Sequence, residues 1–347
     1  MTRRFVALVV ASVTALAGLA CGGPQRPGDR GGERASVFHE QRVGPRLLDL
    51  NIRSPALGTT AMVRVMTPVG WSRGRAGRRW PVLYLLHGCC DAYQSWTRST
   101  DIEAIPRLRR ILVVMPEAGP VGFYSNWLRG PAWETFHLEE IPRILEGAYG
   151  ASRRRVVAGL SMGGLGAMVY AARHPGFFRA AASFSGLLHP LADAGSLMGL
   201  FRSFTPDPRA IWGDPVRDRE VWARHDPTEL AARLRGTTLF VSSGDGRPGP
   251  FERPGAGRDT IEPTVLRESR AFVTRLRQLG IPVHTDFYGP GGHRWPYWER
   301  ELARALPLLL AALNGPVPER GSGRAARGMA QPAGATARAA SRTGSRR

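Results

Sequence analysis

Gly159-Leu160-Ser161-Met162-Gly163, with Gly164 directly after, sets a serine at the centre of a G-x-S-x-G pattern. A sharp strand-to-helix turn at such a pattern lifts the hydroxyl clear of the backbone, and the flanking glycines relieve the crowding that the turn creates. The start of the following helix also favours negative charge near an attacked carbonyl. A serine alcohol is a poor nucleophile at neutral pH and needs a base. In the chain order that accompanies this turn, the acid follows the serine and the histidine comes last. His293 is the last of eight histidines and lies in the glycine-rich stretch Tyr288-Gly289-Pro290-Gly291-Gly292-His293-Arg294-Trp295. His87, His174 and His189 come before any carboxylate that could serve as the acid. Two carboxylates fit between serine and histidine. Asp245 directly follows the apolar run Thr238–Val241, and Glu262 opens the next helical stretch. Spacing alone leaves both open and leans to Asp245. An acyl-transfer oxyanion needs two backbone N–H donors. Met162, just after the serine, supplies one. Cys89, in the loop after the apolar run Pro81–Leu86, is the candidate for the other. Adjacent cysteines can join only through a small ring, so Cys89-Cys90 is read as loop and not as a redox couple.

These groups need a rigid frame. Leu47–Ile52 and Thr60–Met66 read as two early strands joined by a turn. Pro81–Leu86, Ile111–Met115, Arg155–Ala158, Ala180–Phe184, Thr238–Val241 and Val283–Tyr288 read as short strands, several of them continuously apolar. Continuous rather than alternating apolar strands imply a sheet covered on both faces, and intervening helices imply parallel crossovers. Helical spacing falls on Trp133–Gly147, Leu165–Ala172, Pro263–Leu279 (stopped by Gly280) and Pro296–Leu313. The expected fold is an α/β sandwich: a mostly parallel central sheet, helices on both faces, and a cap-like insertion over Leu187–Arg235, where Pro and Trp break the rhythm.

The chain has 347 residues and a formal net charge of +20, with 43% hydrophobic residues and nine Trp. That is ample apolar mass for a core and excludes global disorder. Three cysteines are too few for a disulfide-built scaffold. No CxxC pair or histidine-rich cluster suggests structural zinc, and neither metal nor cofactor is expected. There is no lysine, so all 48 basic residues are arginine. They are scattered and accompany no nucleic-acid-binding motif, so codon usage explains them and no nucleic-acid partner is expected.

The domain boundaries are expected as follows. Residues 1–21 read as an export signal: Arg3 and Arg4, then the apolar run Phe5–Ala20, too short to span a bilayer. Cys21 follows Gly18-Leu19-Ala20, so lipid attachment at Cys21 and plain cleavage are both open. Either one places the mature protein outside the cytoplasmic membrane, with a lipid anchor as its only membrane contact. Residues 22–45 read as a flexible linker, 46–314 as the folded domain, and 315–347, rich in Gly, Ala, Ser and Arg, as a disordered basic tail.

Several motifs in one order resemble the antigen 85 family of secreted actinobacterial mycolyltransferases and esterases. They include Leu85-Leu86-His87-Gly88, Phe123-Tyr124-Ser125-Asn126-Trp127, Trp133-Glu134-Thr135-Phe136, Gly159–Gly163, Trp212-Gly213-Asp214-Pro215 and His293-Arg294-Trp295-Pro296-Tyr297-Trp298. The resemblance spans roughly residues 46–313. It implies an α/β-hydrolase fold and a Ser–Glu–His triad, with the nucleophile on Ser161 and the base on His293. It moves the acid to Glu262, which lies 31 residues before His293 and has Val265 and Phe272 at the family's offsets. Asp245 then falls where the family carries Asn. The implied oxyanion donors are Cys89 and Met162. The implied reaction takes an ester or acyl-lipid substrate through an acyl-enzyme to water, an alcohol or a sugar. Two positions depart from the family: its trehalose-holding Asp and Arg are His87 and Cys90 here. Acyl chemistry is thus implied and trehalose as acceptor is not. A non-catalytic surface-binding relative of the same fold is the alternative.

Overall fold

The computed structural model describes residues 34–74 and 78–314. Nine strands form one sheet: β1 (Ser36–Arg42), β2 (Leu47–Ser54), β3 (Thr59–Met66), β4 (Trp80–Leu86), β5 (Leu112–Pro116), β6 (Ala151–Leu160), β7 (Ala180–Phe184), β8 (Thr238–Gly244) and β9 (His284–Gly289). Their order across the sheet is β1-β2-β3-β5-β4-β6-β7-β8-β9. The pairings β1–β2, β2–β3 and β3–β5 are antiparallel, and β5–β4, β4–β6, β6–β7, β7–β8 and β8–β9 are parallel. The sheet is therefore mostly parallel, as the alternation of strand and helix implied.

The continuous apolar strands serve two cores. Side chains alternate across a strand, and on β4 Val82, Tyr84 and Leu86 enter one core while Leu83 and Leu85 enter the other. On β5, Leu112 and Val114 separate from Val113 and Met115 in the same way. Five helices of eight residues or more are described: α1 (Ile141–Ala148), α2 (Met162–Arg173), α3 (Ala194–Arg202), α4 (Glu262–Gln278) and α5 (Trp295–Asn314). The first core holds Leu165 and Val169 of α2 and Phe272 and Leu276 of α4, and the second holds Leu302, Leu306 and Leu309 of α5.

The insertion between β7 and β8 contains α3 and shorter helical turns. It buries Phe201, Trp212 and Trp222 in the first core and bonds to the loop after β5 through Leu128 N–H to the Ile211 carbonyl, 3.1 Å. At the front, the folded domain begins earlier than residue 46. Ser36–Arg42 pairs antiparallel with β2 inside the stretch expected to be linker. Sheet pairing satisfies its backbone groups, which its unremarkable side-chain pattern did not announce. The stretch expected to be an export signal, with Cys21, the first part of the expected linker (residues 22–33) and the segment 315–347 lie outside the described residues.

Candidate active site

Parallel strands joined by helices bring every βα turn to one edge of the sheet, and the chemistry-bearing residues lie on that edge. β6 ends at Leu160 and α2 begins at Met162, with Ser161 between them at φ 52° and ψ −121°. A positive φ at a residue with a side chain is costly and persists only where the surroundings enforce it. Here the surroundings are close. A Cβ on Gly163 would lie 2.5 Å from the Leu86 carbonyl oxygen, and one on Gly159 would lie 2.2 Å from that of Gly163. Ser161 N–H donates to the Phe184 carbonyl at the end of β7 (2.9 Å), and the Ser161 carbonyl accepts from Gly164 and Leu165 of α2 (2.9 and 3.1 Å). The residue keeps 8% of its surface accessible.

Glu262 opens α4 and is fully buried. Its Oε2 accepts the His293 Nδ1–H at 2.8 Å. Its Oε1 accepts from the Ser185 hydroxyl (2.8 Å), the Ser243 hydroxyl (2.9 Å) and Gly244 N–H (2.7 Å). That bonding leaves the imidazole Nε2 as the acceptor nitrogen. The His293 ring packs edge-on against Trp298, whose indole N–H donates to the Ser185 hydroxyl at 3.2 Å. Ser185 directly follows Phe184, which anchors the Ser161 backbone. The end of β7 therefore ties the serine turn to the Glu262–His293 pair.

Asp245 does not join this group. It sits at the end of β8 and holds Arg247, through Nε at 2.8 Å and the backbone N–H at 2.9 Å. Burial works against its ionisation, but the bonds from Arg247 outweigh it and keep the carboxyl below the usual range. The structure brings Glu262, not Asp245, to the imidazole.

The loop after β4 approaches the serine closely, since a Cβ on Gly88 would lie 3.2 Å from the Ser161 Cβ. Its course is pinned by Tyr124, whose hydroxyl donates to the His87 carbonyl (2.8 Å), and by Trp96, whose indole N–H donates to the Leu86 carbonyl (3.2 Å). His87 is buried with both ring nitrogens engaged. Nε2 accepts Ala118 N–H at 3.0 Å, so Nδ1 carries the proton and donates to the Gly88 carbonyl at 2.8 Å. Cys89 and Cys90 are joined in a disulfide with a cis peptide between them and Cα atoms 3.3 Å apart, a bond the sequence reading did not anticipate. Met162 is the first residue of α2 and is buried.

Sequence reasoning missed the groups that hold this edge together, Ser185, Ser243, Asp259 and Glu252. Asp259, three residues before Glu262, carried one readable signal, since Asp ahead of a helix is a good capping residue. Among the described residues no group of three or more His, Cys, Asp or Glu could hold a metal. No described helix is long and apolar enough to cross a membrane.

This sheet order, with a serine on a left-handed strand-to-helix turn and the chain order Ser, acid, His, defines the α/β-hydrolase class of folds. The Esterase family model matches residues 54–309, and the chain belongs to that family. Esterase Rv1288 of Mycobacterium tuberculosis is 33% identical over 264 residues, which are 72% of this chain and 56% of that protein. The chain thus spans just over half the length of that relative. The diacylglycerol acyltransferase/mycolyltransferase Ag85A of Mycobacterium ulcerans is 30% identical over 302 residues, 82% of this chain and 86% of that protein. Among solved structures, MPT51 (FbpC1) of Mycobacterium tuberculosis superposes with a TM-score of 0.64 at 27% identity, covering 78% of this chain and all of that one. The antigen 85 resemblance is thereby confirmed.

Proposed function

We propose that the protein is an exported serine esterase that works through Ser161, His293 and Glu262 by way of an acyl-enzyme. The observation that carries this reading is the Glu262–His293 pair, which fixes one imidazole tautomer and is tied through Ser185 and Phe184 to the turn that carries Ser161. Ser161 Oγ attacks the ester carbonyl while His293 Nε2 accepts its proton, and Glu262 stabilises the imidazolium that forms. The N–H groups of Cys89 and Met162 hold the oxyanion. Collapse of the tetrahedral intermediate expels the alcohol, protonated by His293, and leaves an acyl group on Ser161. A second nucleophile then gives up its proton to His293, attacks the acyl carbonyl and frees the serine.

Water is the favoured second nucleophile. The two positions that the antigen 85 resemblance assigns to sugar binding carry a buried His87 with both nitrogens committed and a Cys90 bonded to Cys89. Neither presents a charged group to a sugar. The substrate is an ester or acyl lipid, in keeping with the relatives' names. Export rests on the charged, then apolar, start of the sequence. A non-catalytic binding role gains nothing from the site, since serine, histidine and carboxylate are all present.

The test is labelling with a fluorophosphonate. The wild-type chain takes one label, and Ser161→Ala takes none. A label that persists in Ser161→Ala overturns the assignment.

A further inference from the structure

The acid and the base sit on different elements, 31 residues apart. The bond between Glu262 and the imidazole sets the rotation of the ring, but not where the His293 backbone lies relative to the start of α4. A second carboxylate spans that gap. Asp259 Oδ1 accepts the N–H groups of Ile261 (2.8 Å) and Glu262 (2.9 Å), while Oδ2 accepts the N–H of His293 (3.0 Å). One side chain thus fixes the backbone of both residues. We propose that Asp259 is a positioning residue that clamps the loop carrying His293 to the helix start carrying Glu262 and so sets the imidazole at its working depth. The proposal rests on the triad reading above.

The surroundings support a clamp. The segment 245–261 wraps the histidine loop through Asp245 N–H to the Gly289 carbonyl (2.8 Å), Gly246 N–H to that of Gly291 (3.0 Å) and Gly291 N–H to that of Arg247 (2.8 Å). Asp259 is itself anchored to this wrap by its own N–H, which donates to the Gly246 carbonyl at 2.8 Å. Glu252 repeats the device one residue earlier. Its Oε1 accepts Gly292 N–H at 3.1 Å, and its Oε2 accepts Gly249 N–H (2.7 Å) and the Tyr297 hydroxyl. The two carboxylates flank one residue, Gly292, since a Cβ there would lie 3.0 Å from Glu252 Oε1 and 3.1 Å from Asp259 Oδ2. Burial opposes charge on Asp259, but the N–H groups of Glu262, His293 and Ile261 outweigh it and hold the carboxyl below the usual range. It is an anionic acceptor throughout the neutral range.

The two oxygens can be separated experimentally. Asp259→Asn keeps an oxygen for the two N–H groups at the helix start but turns an NH2 donor toward the His293 N–H. Asp259→Ala loses both functions. The full chain is assayed on p-nitrophenyl butyrate, with the rate of fluorophosphonate inactivation and amide hydrogen exchange across residues 289–294. Asp259→Asn is expected to lower kcat about tenfold or more with KM within about threefold, because small displacements of a catalytic group cost rate rather than binding. Its inactivation rate falls in parallel, exchange at the His293 amide quickens, and its Tm stays near that of the wild type. Asp259→Ala adds a fall in Tm. An active wild type whose kcat is unchanged by Asp259→Asn overturns the positioning role, while a label retained in Ser161→Ala overturns the triad instead. If Asp259→Asn does not fold, Glu252→Gln, which turns the same donor toward Gly292, must lower kcat with KM held, and an unchanged kcat there overturns the clamp.

Discussion

A carboxylate taken wholly out of water loses its hydration, and it stays charged only if the protein supplies donors in its place. Glu262 is supplied with four, three of them on the oxygen that does not face the imidazole. Glu262→Gln can keep its oxygen toward Ser185, Ser243 and Gly244, but then offers an amide donor to His293 Nδ1 and selects the wrong tautomer. A fall in kcat/KM of roughly a hundredfold or more is expected, with folding intact, read by steady-state hydrolysis of p-nitrophenyl esters. Asp245→Asn serves as the contrast. It breaks only the Arg247 pair and is expected to stay within about twofold of wild type, since exposed ion pairs contribute little. These two residues mark how far sequence reading reached at this scale. Both follow β8 and precede the histidine, so order could not separate them. The family resemblance chose Glu262, and the physical reason for the choice is a pocket built from three other segments.

α4 carries a second buried carboxylate, Glu268, whose Oε2 accepts the His189 N–H at 3.1 Å. Burial raises its carboxyl from 4.5 to about 7, and the nearby Asp226 and Asp193 add to the rise while the His189 N–H opposes it. The folded state therefore holds a proton that the unfolded chain releases near pH 4.5. Stability from this group is present below that pH and is lost as pH rises toward 7, roughly 3 kcal/mol. Two buried histidines act from the other side. Desolvation lowers His137 to about 4 and His225 to about 3, so their contribution is present above pH 6.5 and is lost as pH falls through those values. Glu268→Gln, which keeps an acceptor for His189, is expected to raise Tm at pH 8 and leave it unchanged near pH 4.5, measured by thermal melts across that range. The boundaries of α4 and α5 were legible to within a residue, because Pro263 and Pro296 mark the starts of two clear helical periods and Gly280 stops the first. β1 was not, since a partly exposed edge strand has no apolar alternation to show.

Trp212 is one of the side chains that secure the insertion between β7 and β8 to the body of the molecule. That ring stacks on His225 at 5.0 Å, meets Trp222, Phe123 and Phe201 edge-on at 5.2–5.7 Å, and donates its indole N–H to the Ser125 hydroxyl at 2.9 Å. Trp212→Ala removes a fully buried ring and leaves that hydroxyl without its donor. A loss of about 3–5 kcal/mol is expected, measured as a lower denaturant midpoint with the slope unchanged. Sequence by itself determined the strand and helix alternation, the α/β class, the serine turn and the family. Each of these depends on residues within a few positions of one another or on motifs in fixed order. Tertiary structure alone decided that Asp259 and Glu252 grip the histidine loop, that Ser185 and Ser243 surround the Glu262 carboxylate, and that the insertion docks through Phe201, Trp212 and Trp222. Those contacts join segments 19 to 113 residues apart. Which segments meet at that range is set by the order of strands across the sheet, and no local period along the chain encodes that order.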